Sequence, residues 1–516
     1  KSSMTRFLPL ILAITIFVSF FRLGSVTLFD VDEAVFAEAT KEMVQSGNWI
    51  TPTYNGENRY DKPILFYWLM AVSYKIFGIN EFGARFPSAL AGFILCISIF
   101  FFLREIIDEK KASYAVLSFA LSIYFFIYSH SAVTDMVLTL FISLALFSFY
   151  LSLIRDRRYI YGLYIFSGLA FLTKGLIGIL FPFGIALVYL FINKGLKGLS
   201  EILNWKAFVL FLIISSPWYI AQLIINGDEF IQQFFIKHHF KRYTGVISGH
   251  RGPLYYYIPV LIIGMFPWIA FLLQGIRKGL RLKAEGLKPQ TFALIWFAFI
   301  FVFFSFSTTK LPNYIRPAIP AVSILISYGM AHYDEDYSSL PSIMLSVISL
   351  LLGAGFLVLK RYIIRYGIHH TGWIYFLSFL MFVFIIIGIY SLFKKRPSYA
   401  GLSCLMIVFF LVLSIKALPA ANEYLQGTLF RYSLYAKDRL QDGILITYGI
   451  NAPSIVFYSD HKIIRVDGKV AIARLIRSSD LQRFIVISKA KDIESLRTLG
   501  FNLIESDGRY AVLEGQ

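Results

Sequence analysis

The chain has 516 residues, of which 57% are apolar, 18% aromatic and only 16% charged, with a mean hydropathy of +0.66. Soluble domains carry roughly 25% charged residues, so this balance excludes a soluble globular protein. The net charge of +18 would suit a nucleic-acid partner, but most Lys and Arg sit in short connectors between apolar runs, where the positive-inside rule accounts for them.

Runs able to cross a bilayer fall at 7–24, 83–103, 113–129, 133–154, 159–173, 175–192, 206–225, 253–274, 290–307, 315–332, 342–360, 371–393 and 398–418. The expectation is an all-α polytopic membrane protein with about 13 transmembrane helices, each needing about 20 apolar residues. The first run is too long for a signal peptide and lacks a small-residue cleavage site, so it reads as a span. Cys96 and Cys404 lie inside apolar runs, away from any metal-ligand spacing.

Connector charge tests the count. With a cytoplasmic N-terminus, Arg104, Lys110 and Lys111 fall inside, as do Arg155, Arg157 and Arg158, then Lys194 and Lys197. Arg277, Lys278, Arg281, Lys283 and Lys288 follow, and Lys394, Lys395 and Arg396 complete the series. Merging the spans around Thr173-Lys174-Gly175, the shortest interruption, would break this alternation. The connector 331–340 is the one inner loop without Lys or Arg. The loop 25–82, residues 129–132, 226–252 and 307–314, and the C-terminal tail then face outward.

The loop 25–82 holds the densest acid cluster, with Asp30, Asp32, Glu33, Glu38, Glu42, Glu57 and Asp61. VDEAVFAEATKEMVQSG predicts an amphipathic helix closed by Gly47 and lying on the membrane surface. Asp32 suits a helix start and is the candidate functional acid, whereas Glu38 and Glu42 read as a solvated face. ILFYWLMAVSYKIFG predicts a second interfacial helix. Just before it, Arg59 and Lys62 could reach a phosphate from an apolar base.

Asp135 stands at the outer end of a span, where an ionisable group is costly and usually functional. KHHFKRYTGVISGHR (237–251) contributes His238, His239 and His250. A histidine with Asp61 could hold a divalent metal, zinc or manganese, although no HxxxH or HExxH spacing makes a self-contained site. Lys310, Tyr314 and Arg316 share an outer connector, for which phosphate binding is a natural use.

From about residue 420 the pattern shifts to strands at 444–448, 455–458 and 484–488 and a helix over 491–500. This predicts a small extracytoplasmic α/β domain, 420–516, behind a membrane domain, 1–419. Acids, cations and histidines gathered at one membrane boundary fit a substrate with a phosphate and a lipid tail. A lipid-linked-sugar transporter or flippase is the rival, but it predicts charges near the midplane and repeat halves.

The motifs DE-A-x-x-A-E from Asp32, E-M-x-x-S-G-x-W-x-x-P from Glu42, D-K-P-x-x-x-Y-W from Asp61 and K-L-P-x-Y-x-x-P from Lys310 carry a resemblance. They resemble the aminoarabinose transferase family of lipid A modification, within the GT-C glycosyltransferases that include the protein O-mannosyltransferases. The resemblance implies a GT-C fold in the inner membrane and a polyprenyl-phosphate sugar as donor. It also implies transfer on the periplasmic face to lipid A or another lipid or protein acceptor. By motif, Asp32 and Asp135 match the family's first and second acids. Asp61 and Lys62 match an acid that helps hold a metal and a lysine facing the lipid phosphate. His239 and Arg242 match H-x-x-R-aromatic, and Tyr314 matches the tyrosine of K-L-P-x-Y. Val35 and Phe36 stand where the family has Arg and Tyr, and Asp61 where it has Glu.

Overall fold

The computed structural model describes residues 8–234, 252–281, 288–365, 371–440, 443–477 and 483–515. All thirteen apolar runs are helical. Among the described residues, eight helices are long and apolar enough to cross a membrane: Glu81–Ile106, Asp135–Ile154, Ile177–Ile202, Trp205–Phe234, Pro289–Phe306, Ser339–Ile364, Gly372–Lys394 and Tyr399–Arg439. Two helix pairs, bent by 61° and 114°, bring the number to as many as ten. The other three runs form Leu8–Phe20, Ile160–Lys174 and Ile319–Glu335, of 13, 15 and 17 residues. These are shorter than a straight span needs.

The chain forms two interleaved compact units. One comprises Lys1–Leu23, Tyr60–Phe66 and Arg85–Lys416; the other comprises Gly24–Arg59, Tyr67–Ala84 and Ala417–Gln516. Most of the first outer loop, placed with the membrane part by its position in the chain, therefore groups with the tail.

In the first unit, local breaks set where polar groups emerge. Ser122 interrupts one run and caps the next helix by accepting the Phe125 N–H at 3.1 Å. Gly175, at φ +71°, ends Ile160–Lys174. Three residues on, Gly178 lies so close to the preceding helix that a Cβ would stand 2.3 Å from the Ala170 carbonyl carbon. The split at Lys174 is thus built into the backbone. Lys110 meets Asp334 at 2.7 Å and Arg155 meets Glu105 at 3.0 Å. The connector 331–340 accordingly shares a face with its basic neighbours, as the charge alternation required.

In the second unit, the helix Asp32–Ser46 ends at Gly47, whose N–H reaches the Met43 carbonyl at 3.1 Å. The hairpin of β1 (Thr53–Tyr54) and β2 (Glu57–Asn58) turns through Asn55 and Gly56 at φ +55° and +77°, the left-handed pair a tight hairpin favours. Glu42 accepts from the Thr53 hydroxyl and from the Gly56 N–H at 3.2 Å, so it fastens this hairpin and does not form a solvated face. The second expected interfacial helix is present as Leu65–Phe77.

The tail is an α/β layer. Its strands are β3 (Ile444–Tyr448), β4 (Ile463–Val466), β5 (Phe484–Lys489), β6 (Asn502–Ser506) and β7 (Tyr510–Gly515), in the order β4-β3-β5-β7-β6. β3 runs parallel to β4 and β5, while β7 is antiparallel to β5 and β6. Alternate residues feed two cores, with Leu445, Ile485 and Val512 on one face and Ile446, Val486 and Leu513 on the other. The stretch 455–458, expected as a strand, lies instead in the helix Pro453–Ser459. Its apolar run is buried as a strand's would be, and Pro453 begins a helix without wasting an N–H.

Loop and tail share several bonds within this unit. Asp30 accepts from the Ser454 N–H at 2.8 Å and hydroxyl at 2.6 Å. Tyr458 accepts the Leu28 N–H and donates to Glu81, both at 2.8 Å. The Asn55 amide exchanges two 2.8 Å hydrogen bonds with the Ile463 backbone.

Candidate active site

Asp32 opens its helix exposed, at the end where the helix field favours a carboxylate. Its neighbour Glu33 is buried and accepts the Phe29 N–H at 3.0 Å. One turn on, Glu38 is also buried, which overturns its reading as a solvated face. Lys41 joins it at 3.2 Å, meets Asp460 at 2.5 Å and donates to the Phe457 carbonyl at 3.0 Å. Burial pushes the Glu38 carboxyl up to about 7 against the opposing pull of Lys41. At Asp460 burial also acts upward, but hydrogen bonds from Lys41 and Lys437 outweigh it and hold the carboxyl below its ordinary value.

Arg59 donates through Nε to the Tyr67 hydroxyl at 3.1 Å and lies 5.8 Å over the Phe36 ring. Phe36, in the position where the resemblance would put Tyr, thus forms part of the seat for this guanidinium. Lys62 and Asp61 are half-buried, with the Lys62 ammonium on the Asp61 main-chain carbonyl at 3.0 Å. His239 and Arg242 lie outside the described residues. Among those described, no three His, Cys, Asp or Glu gather as a metal site, so Asp61 is the one member of the expected metal pair that can be placed.

Asp135 begins the helix Asp135–Ile154 and is buried. Lys174, delivered by the break at Gly175, pairs with its Oδ1 at 2.9 Å, and the Asn313 amide approaches the same oxygen at 3.4 Å. Arg316 is the second cation acting on this carboxylate. It stands in the short turn Arg316–Ala318, fixed from behind by the Trp296 indole on the Pro317 carbonyl at 2.9 Å. The same connector is held by the Tyr124 hydroxyl on the Pro312 carbonyl at 2.9 Å.

Lys310 is buried and spends its ammonium on the Ser305 and Ser307 carbonyls at 2.8 and 2.6 Å. It closes the C-terminus of Pro289–Phe306, an end that favours a cation. Tyr314 packs its ring 5.2 Å from Phe304. Among the described residues, Asp135 draws together three distant chain segments. The pairing role of Lys174 was missed because it was read only as a break between spans, although a lysine at membrane depth is itself a functional signal.

Residues 61–220 match the family described as dolichyl-phosphate-mannose-protein mannosyltransferase. An uncharacterized protein of Aquifex aeolicus is 32% identical over 345 residues, covering 66% of this chain and 78% of its own. The undecaprenyl phosphate-alpha-4-amino-4-deoxy-L-arabinose arabinosyl transferase of Edwardsiella ictaluri is 29% identical over 414 residues, 75% of this chain and 72% of that one. A crystal structure of ArnT from Cupriavidus metallidurans bound to undecaprenyl phosphate superposes with a TM-score of 0.83 at 22% identity, covering 99% of this chain and 98% of that one.

The chain belongs to the aminoarabinose transferase family of GT-C glycosyltransferases.

Its fold is that of this family along nearly its whole length, tail included. Coverage of the curated relatives is uneven: the match to a second Aquifex aeolicus protein, 33% identical, spans 63% of that protein. The aminoarabinose transferase fold makes the chain a multi-pass membrane protein.

Proposed function

We propose that the protein is an inverting glycosyltransferase of the inner membrane. It moves a sugar, 4-amino-4-deoxy-L-arabinose by family, from a polyprenyl-phosphate donor to lipid A or another periplasmic acceptor. The observation that carries this reading is the Asp135–Lys174–Asn313 cluster, a buried acid and its partners drawn from three segments, on a fold shared with the undecaprenyl-phosphate-bound ArnT.

The acceptor attacks the anomeric carbon as the lipid phosphate leaves, with Lys62 and Arg242 offsetting the charge developing on that phosphate. Lys310 is assigned to closing its helix rather than to the phosphate. Tyr314, packed against Phe304, is assigned to holding this connector. A carboxylate pinned in an ion pair is a poor proton carrier, so Asp135 orients the substrate and exposed Asp32 serves as base for a hydroxyl acceptor. A phosphate-monoester acceptor, with a second pKa of about 6, is already mostly ionised, and Asp32 then holds the acceptor. A zinc or manganese ion, with Asp61 and His239 as ligands, would add charge to the phosphate side; no step above depends on it.

The match of 61–220 to the protein mannosyltransferases favours a second reading, with a protein hydroxyl as acceptor. The test is to incubate the purified protein with labelled polyprenyl-phosphate sugars and either lipid extracts or protein acceptors, then identify the product by mass spectrometry. Movement of lipid-linked sugar across liposomes without any transfer would overturn both readings. Asp32→Asn separates the roles of that acid. Base catalysis predicts a loss of about a hundredfold or more, and substantial residual activity with intact donor binding assigns it to holding the acceptor.

A further inference from the structure

The acid of this cluster in the membrane unit has one ion-pair partner and a second cation close by. Lys174 is paired with Asp135 at 2.9 Å, whereas Arg316, only 3% exposed, makes no ion pair with that carboxylate among the described residues and lies against the adjoining Met136. The hydrogen bonding of this guanidinium is poor for a buried charge. Nη2 lies 3.0 Å from the Met136 sulfur, a weak acceptor, and Cζ stands 4.0 Å over the Tyr128 ring. Nη1 is buried with no hydrogen-bond partner among the described residues. Arg316 also precedes the helix Ile319–Glu335, whose N-terminus carries positive partial charge. Segment 235–251, outside the described residues, contains Lys237, Lys241, Arg242 and Arg251 and neither Asp nor Glu.

A buried surplus charge is costly, and a guanidinium does not relieve it by losing a proton. We infer that Arg316 is an anion-binding residue that, beside Lys174, takes a phosphate oxygen of a substrate in the site around Asp135. The inference rests on the proposed function in one respect: that function names the phosphate, either of the polyprenyl-phosphate donor or of a phosphorylated acceptor. Arg316 occupies an open position of K-L-P-x-Y-x-x-P, so the motif does not itself require the charge.

The experiment uses the full chain in lipid nanodiscs, with Arg316→Gln and Arg316→Lys. Thermal unfolding is followed during titration with inorganic phosphate and, separately, with polyprenyl phosphate. Both ligands stabilise the wild type; Arg316→Gln loses affinity by about tenfold or more, as for a charged hydrogen bond, and Arg316→Lys retains part of it. Without ligand, Arg316→Gln matches or exceeds the wild-type Tm, because two cations near one acid become one pair. If the acceptor supplies the anion, affinity for polyprenyl phosphate stays the same and KM for the phosphorylated acceptor rises instead. Affinities for inorganic phosphate, polyprenyl phosphate and acceptor all within twofold of wild type would overturn the proposal, whatever the Tm does. The inorganic phosphate titration needs no turnover, so it stands even if no sugar transfer is found.

Discussion

Two buried ionic clusters, one in each unit, have opposite imbalances. Glu38, Lys41 and Asp460 are two acids sharing a cation; Asp135, Lys174 and Arg316 are two cations beside one acid. The first can shed its surplus locally, since Glu38 titrates near 7 and the Asp460 side chain is 40% exposed. In the second, Lys174 is partly exposed, but Arg316 has neither outlet, because its guanidinium is buried against Tyr128. An excess of carboxylate in a protein interior is relieved by a proton, whereas an excess of guanidinium calls for an anion. The first imbalance is therefore compatible with a structural joint, and the second with a site that is completed by its substrate.

The sharpest way to break this contrast is Asp135→Asn. It leaves the half-buried Lys174 and the buried Arg316 without an acid, and uncompensated burial of this kind costs about 3–5 kcal/mol, read as a fall in Tm together with loss of transfer. Adding Arg316→Gln to that variant removes one of the stranded charges and recovers part of the Tm, a non-additivity that a double-mutant cycle measures directly. The matching change in the other cluster, Glu38→Gln, has a smaller effect with a distinct pH signature. The Glu38 carboxyl is raised when folded, so the folded state binds the extra proton, and wild-type stability falls as pH rises from the ordinary glutamate range through about 7. Glutamine lacks that dependence. Between pH 5 and 8, the variant's stability relative to wild type should therefore improve, by at most about 3 kcal/mol. A difference that stays flat with pH would remove the proton from the account.

The helices were legible because hydropathy acts over whole segments, and even the thin break at Lys174 was recoverable from the alternation of basic connectors. Asp135 was legible because an acid at the end of an apolar run has few structural excuses. The partners were not. Lys174 and Asn313 lie 39 and 178 positions away from Asp135, and no local pattern marks such pairings. Glu38 and Glu42 were misread because their helix is covered by chain that arrives much later or folds back: Asp460 reaches the Glu38–Lys41 pair, and the β1–β2 hairpin reaches Glu42. The strand expected at 455–458 failed for a related reason, since a short apolar run buried in a tail helix has no readable period.

The smallest expected effect concerns how the tail holds the first outer loop. Asp30 takes two hydrogen bonds from Ser454, with Gln426 as a third partner. Burial raises its carboxyl, and these bonds only partly oppose the rise. Ser454→Ala deletes the hydroxyl bond but keeps the main-chain one, which should cost about 1.5 kcal/mol. The loss should be local, appearing as faster hydrogen exchange over residues 28–46 with little change in the membrane helices. Removing a bond to the charged form raises the Asp30 carboxyl further, so the deficit belongs to the ionised state. It is fully present at neutral pH and shrinks as the pH falls through the range where Asp30 takes up its proton. If exchange over 28–46 is unchanged at neutral pH, the bond contributes nothing to holding the helix that carries Asp32, and the loop is kept in place by its other bonds to the tail, those of Lys41, Tyr458 and Asn55 among them.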